Sequence, residues 1–456
     1  MAEPGHPEGR RYDRRMTAAT RYAARPRWTN WAGNQSCSPV AIQRPHSEAD
    51  LVRVVQRAAT EGVAVKVVGA GHSFTPIVCT DGYLLDLGDY DRVLSIDQAA
   101  ATVTVQAGIP LWKLSEHLAP RGLALENLGD IAYQSVAGAT STATHGTGLR
   151  FGNLSSRIVG LRLVTGDGSI VEATPDLNPD VLDVARVGVG ALGILSTVTI
   201  QCVPAFNLHA IEQAERVDAL LERWDEEILE NDHFEFFWIP NTGWALTKRN
   251  ERTTEAVQPR SRWRAFRDDY LLSNVGFDLT CRAGRLDPRL GRRVAKIVPG
   301  TGYADYIEPS YEVFASPRLV RFYEMEYAIP RQHLVEALNR VRELVRRQGV
   351  QILFPVEVRV VAGDDIPLST AHGRETAYIA VHVYRGTAYD QYFQGVQGIM
   401  DDYGGRPHWG KMHFQTAETL APRYPRWGEF QAMRARLDPD GRFTSPYLDR
   451  ILGPVG

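Results

Sequence analysis

The apolar positions in the first half of the chain follow two spacings, one typical of helices and one typical of strands. Residues 48–61 place apolar side chains on one helical face, and Ser47 followed by Asp50 predicts the N-cap of this helix. A shorter amphipathic helix is predicted over residues 111–119. Strands are predicted over the apolar or alternating segments 63–68, 82–87, 101–108, 158–164 and 194–202. Helices interleaved with short strands predict an α+β domain.

The pattern changes after about residue 205. Aromatic-rich or alternating segments predict strands over residues 233–240, 321–329, 352–361 and 378–384. A long amphipathic helix is predicted after Pro330, and another over residues 389–403. This order predicts an antiparallel sheet covered by helices. The chain is therefore expected to hold a tail (1–27), a first α+β domain (28–204) and a second domain of sheet and helices (205–456).

Composition and charge narrow the function classes. The chain has 456 residues, 44% of them apolar, and a net charge of −3, so no overall basic field indicates a nucleic-acid partner. No apolar run reaches the roughly 18 residues that a membrane span needs. Residues 1–27 hold seven arginines and three acidic residues. A solvated, disordered tail is the favoured interpretation, and a weak peripheral contact with an anionic membrane is the alternative.

The four cysteines are scattered, and none forms a Cys-x-x-Cys pair. Free thiols in a reducing, cytoplasmic compartment are therefore expected, and no metal site is predicted.

Two segments rich in small residues are the strongest candidates for ligand binding. The first follows the predicted strand 63–68 and consists of Val68, Gly69, Ala70, Gly71, His72, Ser73 and Phe74. The second includes Ser135, Gly138, Thr142, Ala143, Thr144, His145 and Gly146. Glycine lets the backbone approach a ligand closely, and N–H groups with hydroxyls suit an anion such as a pyrophosphate. Each segment alone is equally compatible with an ordinary turn at the end of a strand.

The segment Gly188–Gly193 matches the glycine spacing of a dinucleotide-binding fingerprint. That motif requires a strand before it and a helix after it. Here residues 182–186 before it have a helical pattern, and residues 194–200 after it alternate like a strand. A Rossmann-type NAD site is therefore rejected, and a tight helix-to-strand turn is expected instead.

Together and in this order, the two small-residue segments resemble the PCMH-type FAD-binding domain of the vanillyl-alcohol-oxidase flavoproteins. The similarity is closer to their aldonolactone oxidoreductase branch and extends from about Trp28 to the C-terminus. It implies FAD as cofactor, held by both segments together with Gly129, Asp130, Gly193 and Ile194. It also implies a covalent bond between His72 and the C8 methyl group of the flavin, the alternative being a histidine that only hydrogen-bonds nearby. His145 would be a structural histidine beside the flavin.

Two further motifs indicate the substrate side. Glu357 and Arg359 are two positions apart on a predicted strand, so they project from one face. From the residues alone an exposed ion pair on the sheet is the slightly favoured interpretation, but the resemblance implies that both residues bind the substrate. His408 and Lys411 belong to a His-Trp-Gly-Lys motif that the family also carries. Lys411 would then stabilise the reduced flavin or contact the substrate, the alternative being a surface lysine beside a packed tryptophan.

The resemblance implies oxidation of a sugar-derived 1,4-lactone at C2, giving an ascorbate-type product. An alditol oxidase acting on an open-chain polyol such as xylitol is the alternative, and a non-enzymatic flavin-binding or NAD-binding protein is a third class. Asp130 stands where alditol oxidases typically carry a serine, which favours the lactone enzymes. The expected partners are the lactone or polyol and an electron acceptor. Gly129 has no Cβ to block dioxygen, so an oxidase is favoured over a dehydrogenase.

Overall fold

The computed structural model describes residues 25–261, 278, 282, 303–316, 319–348 and 354–455. Most of the predicted tail, Cys281 and the first two residues of the strand predicted over 352–361 lie outside these residues. Among the described residues, no helix is long and apolar enough to cross a bilayer.

The first half contains short strands and four α-helices. Its strands are β1 (Trp28–Thr29), β2 (Ser36–Cys37), β3 (Ala41–Gln43), β4 (Val65–Val68), β5 (Tyr83–Asp86), β6 (Val93–Asp97), β7 (Thr102–Gln106), β8 (Leu123–Ala124), β9 (Ile158–Val164), β10 (Ile170–Ala173), β11 (Ile194–Gln201) and β12 (Val203–Pro204). Its helices are α1 (Glu48–Glu61), α2 (Leu111–Leu118), α3 (Val136–Ser141) and α4 (Pro179–Ala185). The Ser47–Asp50 capping box is present at the start of α1, as predicted.

These strands form two main sheets. A parallel sheet has the order β3-β5-β4, and an antiparallel sheet has the order β10-β9-β11-β7-β6. The short pairs β1-β2 and β8-β12 complete this half. Strand β4 ends at Val68, so the parallel sheet delivers the first glycine-rich segment directly from a strand end.

In the described residues of the second half, the strands form an eight-stranded sheet of order β16-β13-β15-β14-β18-β19-β17-β20. Its strands are β13 (Asn207–Arg216), β14 (His233–Trp238), β15 (Trp244–Thr253), β16 (Tyr303–Pro309), β17 (Phe322–Pro330), β18 (Val356–Val361), β19 (Thr376–Tyr384) and β20 (Arg406–Pro407). The helices are α5 (Val217–Glu222), α6 (Trp224–Glu230), α7 (Ser310–Phe314), α8 (Leu334–Gln348), α9 (Asp390–Asp401), α10 (Ala417–Leu420), α11 (Trp427–Leu437) and α12 (Pro446–Leu452).

The helix predicted after Pro330 begins later than expected. A single 3-10 turn, Arg331–His333, separates the proline from α8, which begins at Leu334. The sheet-and-helix arrangement predicted for this half is otherwise present.

The two faces of the eight-stranded sheet differ in chemistry because side chains alternate along each strand. One face is apolar: Phe236, Val358 and Ile379 share a core with α8 and α9. The opposite face carries acidic and basic side chains, among them Glu357 and Arg359. This face is directed toward the first half, where Arg359 contacts the His145 carbonyl oxygen.

The end of the chain belongs to the predicted second domain (205–456), but it packs against the first half. Leu420 on α10, Phe430 on α11 and Leu448 on α12 belong to the same hydrophobic core as Val105 and Leu161 of the first half. The apolar faces of the C-terminal helices therefore contribute to the core of the first half.

Candidate functional site

The cleft of the first half begins where β4 ends. It is lined by residues 68–73, by Ser135, Gly138 and Thr142 around α3, and by Gly193 and Ile194 on its far wall. Within the described residues, the backbone N–H groups of residues 69–73 donate to no backbone carbonyl. A row of free N–H groups is a suitable binding surface for phosphate oxygens.

The cleft depends on glycine at its narrowest point. A Cβ on Gly69 would lie 2.0 Å from the Ser135 Oγ. Ser135 is the N-cap of α3, where its hydroxyl accepts a hydrogen bond from the Gly138 N–H at 3.2 Å. The two predicted segments therefore face each other at van der Waals distance, which explains why both are built from small residues.

The far wall of the cleft contains the Gly188–Gly193 turn. Helix α4 precedes it and strand β11 follows it, so the predicted helix-to-strand turn is present. Gly193 has φ +150°, and a Cβ there would lie 2.8 Å from the Val164 carbonyl oxygen. Lys66 is buried below this wall, where its Nζ donates to the carbonyls of Gly190 and Phe443 at 3.0 and 2.9 Å.

His72 lies on the cleft wall under an aromatic cover. Its ring centroid is 5.3 Å from that of Trp31. Burial, together with the nearby Lys411 ammonium, lowers the pKa of His72 to about 4. The imidazole is therefore neutral at physiological pH, with one ring nitrogen free to act as a nucleophile or a hydrogen-bond acceptor.

A second cluster lies on the charged face of the eight-stranded sheet. Arg359 on β18 contacts two carboxylates, Glu235 on β14 at 2.7 Å and Glu357 on its own strand. These are ion pairs rather than aligned hydrogen bonds, since the Nε–H of Arg359 points at neither oxygen. Its Nη1 lies 3.5 Å from the His145 carbonyl oxygen, so the outer edge of the guanidinium is weakly engaged. The predicted pairing of Glu357 and Arg359 on one face is present.

Glu357 has an unusual acidity for a carboxyl group. Burial raises its pKa to about 7, opposed by Arg359 and reinforced by Glu235. Arg359 is held in its charged form, because the two carboxylates more than offset its burial and raise its pKa. Near neutral pH, Glu357 can therefore accept or release a proton beside a fixed positive charge.

Lys411 connects the two regions. Its Nζ forms an ion pair with Glu324 on β17 and lies 5.3 Å from the centroid of the Phe74 ring. Beside it, the Gly410 carbonyl accepts a hydrogen bond from the Phe74 N–H at 2.7 Å. The lysine is thus half-buried at the contact between the first small-residue segment and the charged face, rather than exposed on the surface.

The remaining predicted residues lie behind this contact and do not line the cleft. The His145 Nε2 is 3.1 Å from the Glu326 carboxylate, and its ring stacks on Tyr378 at 3.6 Å. His408 lies 6.0 Å from the His145 ring, and burial lowers its pKa to about 4. Ala143 takes a positive φ of 57° and Thr144, like His145 and Gly146, is buried in the same turn. These side chains shape the wall between the two regions.

Gly129 and Asp130 lie next to that wall. A Cβ on Gly129 would lie 3.1 Å from the His145 carbonyl oxygen. The charge of Asp130 acts on both Glu357 and Arg359, which places this loop beside the charged face as well.

Four charged residues of the site were not singled out from the sequence: Glu235, Glu324, Glu326 and His382. All are buried, and all lie on the face that carries Glu357 and Arg359. The alternation of side chains along the strands could have indicated these residues. Each places a titratable side chain in an otherwise apolar strand, at a position facing away from the helices.

Two family models match the chain. The FAD binding domain model matches residues 39–174, and the D-arabinono-1,4-lactone oxidase model matches residues 198–451. L-gulono-1,4-lactone dehydrogenase from Mycobacterium tuberculosis is 50% identical over 430 residues, covering 94% of this chain and 100% of the relative. L-gulonolactone oxidase from Mus musculus is 32% identical, covering 92% and 97%.

Among solved structures, cholesterol oxidase from B. sterolicum has a TM-score of 0.79 at 17% identity, covering 94% of this chain and 97% of that structure. At this identity the likeness concerns the fold, and it supports a PCMH-type FAD-binding fold with a sheet-rich second domain. On these matches, this chain is an FAD-binding flavoprotein that belongs to the D-arabinono-1,4-lactone oxidase family.

Proposed function

We propose that this protein is an FAD-dependent oxidoreductase that oxidises a sugar-derived 1,4-lactone at C2. The observation that carries the proposal is the buried Arg359 between Glu235 and Glu357, placed across from a cleft whose free N–H groups suit a pyrophosphate. The relatives are named for gulonolactone or arabinonolactone oxidation, and they cover the chain almost completely.

The cleft residues fit FAD in detail. Residues 69–73 would hold the pyrophosphate through backbone N–H groups, and the absence of a side chain on Gly69 leaves the necessary space. When bound, FAD supplies the acceptor for the hydride equivalent that leaves C2 of the lactone. The glycines of the far wall would allow close approach of the rest of the cofactor.

The side chains of the charged face would then bind and orient the lactone. The outer edge of Arg359, which is only weakly engaged by the His145 carbonyl, would bind the C2 oxygen and stabilise negative charge as it develops there. Glu357, with its pKa of about 7, would orient the hydroxyl group and receive its proton. The Lys411 ammonium would favour negative charge at the contact between lactone and cofactor. Arg359 is buried, and Glu357 and Lys411 are mostly shielded from solvent, which limits water and strengthens each interaction.

A panel of substrates tests this proposal. The oxidised holoenzyme is mixed without oxygen with L-gulono-, D-arabinono- or L-galactono-1,4-lactone, or with xylitol, and the loss of flavin absorbance is followed. We expect rapid bleaching by at least one lactone and slow or no bleaching by xylitol. Preferential bleaching by xylitol would establish an alditol oxidase instead, and no bleaching by any compound would contradict both.

We further propose that His72 bonds covalently to the flavin. Its neutral imidazole on the cleft wall leaves a nitrogen available for that bond. Acid-precipitated wild-type protein should keep yellow fluorescence, and His72→Ala should release its flavin. Release from the wild type would show that His72 only lies beside the cofactor.

The electron acceptor is proposed to be dioxygen, on the basis of Gly129. One relative is named a dehydrogenase and the other an oxidase, so the names leave the acceptor open. Rapid re-oxidation of the reduced enzyme by dioxygen is expected. An enzyme that is inert to oxygen but turns over with a quinone or cytochrome c would be a dehydrogenase.

A further inference from the structure

His382 lies on the charged face, but it has no role in the proposed reaction. It lies on β19 directly opposite Glu324 on β17, as a cross-strand pair. Its Nε2 is 3.5 Å from a Glu324 carboxylate oxygen, and its Nδ1 is 3.0 Å from the Pro355 carbonyl oxygen. The rings of Phe322 and Phe354 lie against it, at 5.2 and 6.2 Å between centroids.

Both ring nitrogens therefore face hydrogen-bond acceptors. A carbonyl oxygen cannot donate, and Glu324 is ionised, since its ion pair with Lys411 is the largest effect opposing its burial and the pKa of Glu324 is lowered to about 2. A neutral imidazole has one N–H and would turn a lone pair toward one of these oxygens. The imidazolium form, with two N–H groups, would donate to the Pro355 carbonyl and form an ion pair with the Glu324 carboxylate.

The titratable groups that face His382 agree with this assignment. Burial lowers its pKa and Lys411 opposes a second positive charge, but Glu324 and Glu357 outweigh them, so the net direction is upward. The same Glu324 carboxylate also pairs with Lys411. One carboxylate thus lies between two cations, one from each side.

We propose that His382 is held as an imidazolium that shares Glu324 with Lys411, so that these three residues together present one net positive charge to the reacting lactone and cofactor. If His382 were neutral, the charges of Lys411 and Glu324 would cancel. His382 is a positioning residue on this assignment, because it acts through Glu324 and Lys411. The proposal rests on the proposed function only for its effect on rate, since the charge state can be measured without a substrate.

The charge state is tested by NMR of the holoenzyme labelled with ¹³Cε1-histidine. The signal of His382, assigned by its loss in His382→Gln, should remain that of an imidazolium at pH 7 and titrate above it. In Glu324→Gln its midpoint should fall by more than about one pH unit. His46→Gln, a change at an exposed histidine, is the control and should leave the signal in place. A wild-type midpoint below pH 6, or no movement in Glu324→Gln, would overturn the proposal.

The effect on the reaction is tested by a double-mutant cycle on flavin reduction. His382→Gln should slow reduction by about tenfold, because it leaves Lys411 and Glu324 with no net charge. The double variant His382→Gln/Glu324→Gln keeps Lys411 as an unopposed cation, so it should be faster than His382→Gln alone. Additive losses in the cycle would mean a merely structural role and would overturn the assignment. If no lactone reduces even the wild-type flavin, the proposed function fails, while the NMR titration still decides the charge state of His382.

Discussion

The cleft and the charged face achieve binding by opposite means. The cleft of the first half is made by leaving side chains out: Gly69 and Gly193 occupy positions where a Cβ would collide with neighbouring atoms. The charged face depends instead on ionisable side chains held together: Glu235 and Arg359 are buried and Glu357 is half-buried beside them, although each is costly to desolvate alone. An added side-chain atom would therefore disrupt the cleft by steric collision. Loss of one charged partner would disrupt the charged face by leaving another charge unpaired.

The largest effect is expected for Arg359→Ala, which changes the charged face and leaves the cleft intact. It should slow flavin reduction by about 10²–10³-fold, as expected when a preorganised cation at the developing charge is removed. FAD content should stay unchanged because the cleft is untouched. Stopped-flow reduction and the flavin-to-protein absorbance ratio measure these two effects. Arg346→Ala, on the exposed side of α8, is the control. Loss of FAD in Arg359→Ala would show that the regions are not independent.

The converse change is Gly69→Ala. Its Cβ would lie 2.0 Å from the Ser135 Oγ, so we expect lower FAD occupancy and a loss of about 1–3 kcal/mol in the free energy of unfolding. Gly69→Ala/Ser135→Gly should recover part of the stability by removing the colliding hydroxyl. Denaturant unfolding measures the change. Gly398→Ala, where a Cβ would meet nothing within 4 Å, should cost nothing. A wild-type FAD content in Gly69→Ala would contradict the steric account.

A third test uses the pH dependence of flavin reduction to probe the charged face. Burial raises the pKa of Glu357 from its usual 4.5 to about 7, so flavin reduction should increase as pH rises through about 7 and Glu357 becomes ionised. Because the folded state holds this proton more tightly than the unfolded state, this group makes the protein less stable as pH rises from 4.5 to 7. Glu357→Gln should remove the increase in rate and flatten that part of the stability profile. An unchanged rate profile in Glu357→Gln would assign the titration to another group.

The smallest expected effect is at the wall between the regions. In Gly129→Ala the new Cβ would lie 3.1 Å from the His145 carbonyl oxygen. We expect re-oxidation by dioxygen to slow by a few-fold, whereas flavin reduction by the lactone should slow less. Stopped-flow measurement of both half-reactions compares them. Equal slowing of both would indicate a shift of the wall rather than an obstructed approach of dioxygen.

Elements set by neighbours in sequence were predictable. The Ser47–Asp50 capping box and helix α1 follow from residues within four positions of each other, as does the shared face of Glu357 and Arg359. The start of α8 was misplaced by a 3-10 turn, because Pro330 ends strand β17 instead of opening the helix. The docking of α10–α12 on the first half was missed because an amphipathic face does not specify its partner.

The sequence by itself determined the glycine-rich lining of the cleft, the alternation that separates the two sheet faces, and the identity of the Glu-x-Arg pair. These follow from local backbone geometry, which depends on adjacent residues. Only the tertiary structure decided that Glu235, Glu324 and His382 join that pair, that Lys411 lies over the Phe74 ring, and that the Glu357 pKa rises to about 7. Charge interactions depend on distance and burial, and both arise from strands that are far apart in sequence and adjacent only in the folded sheet.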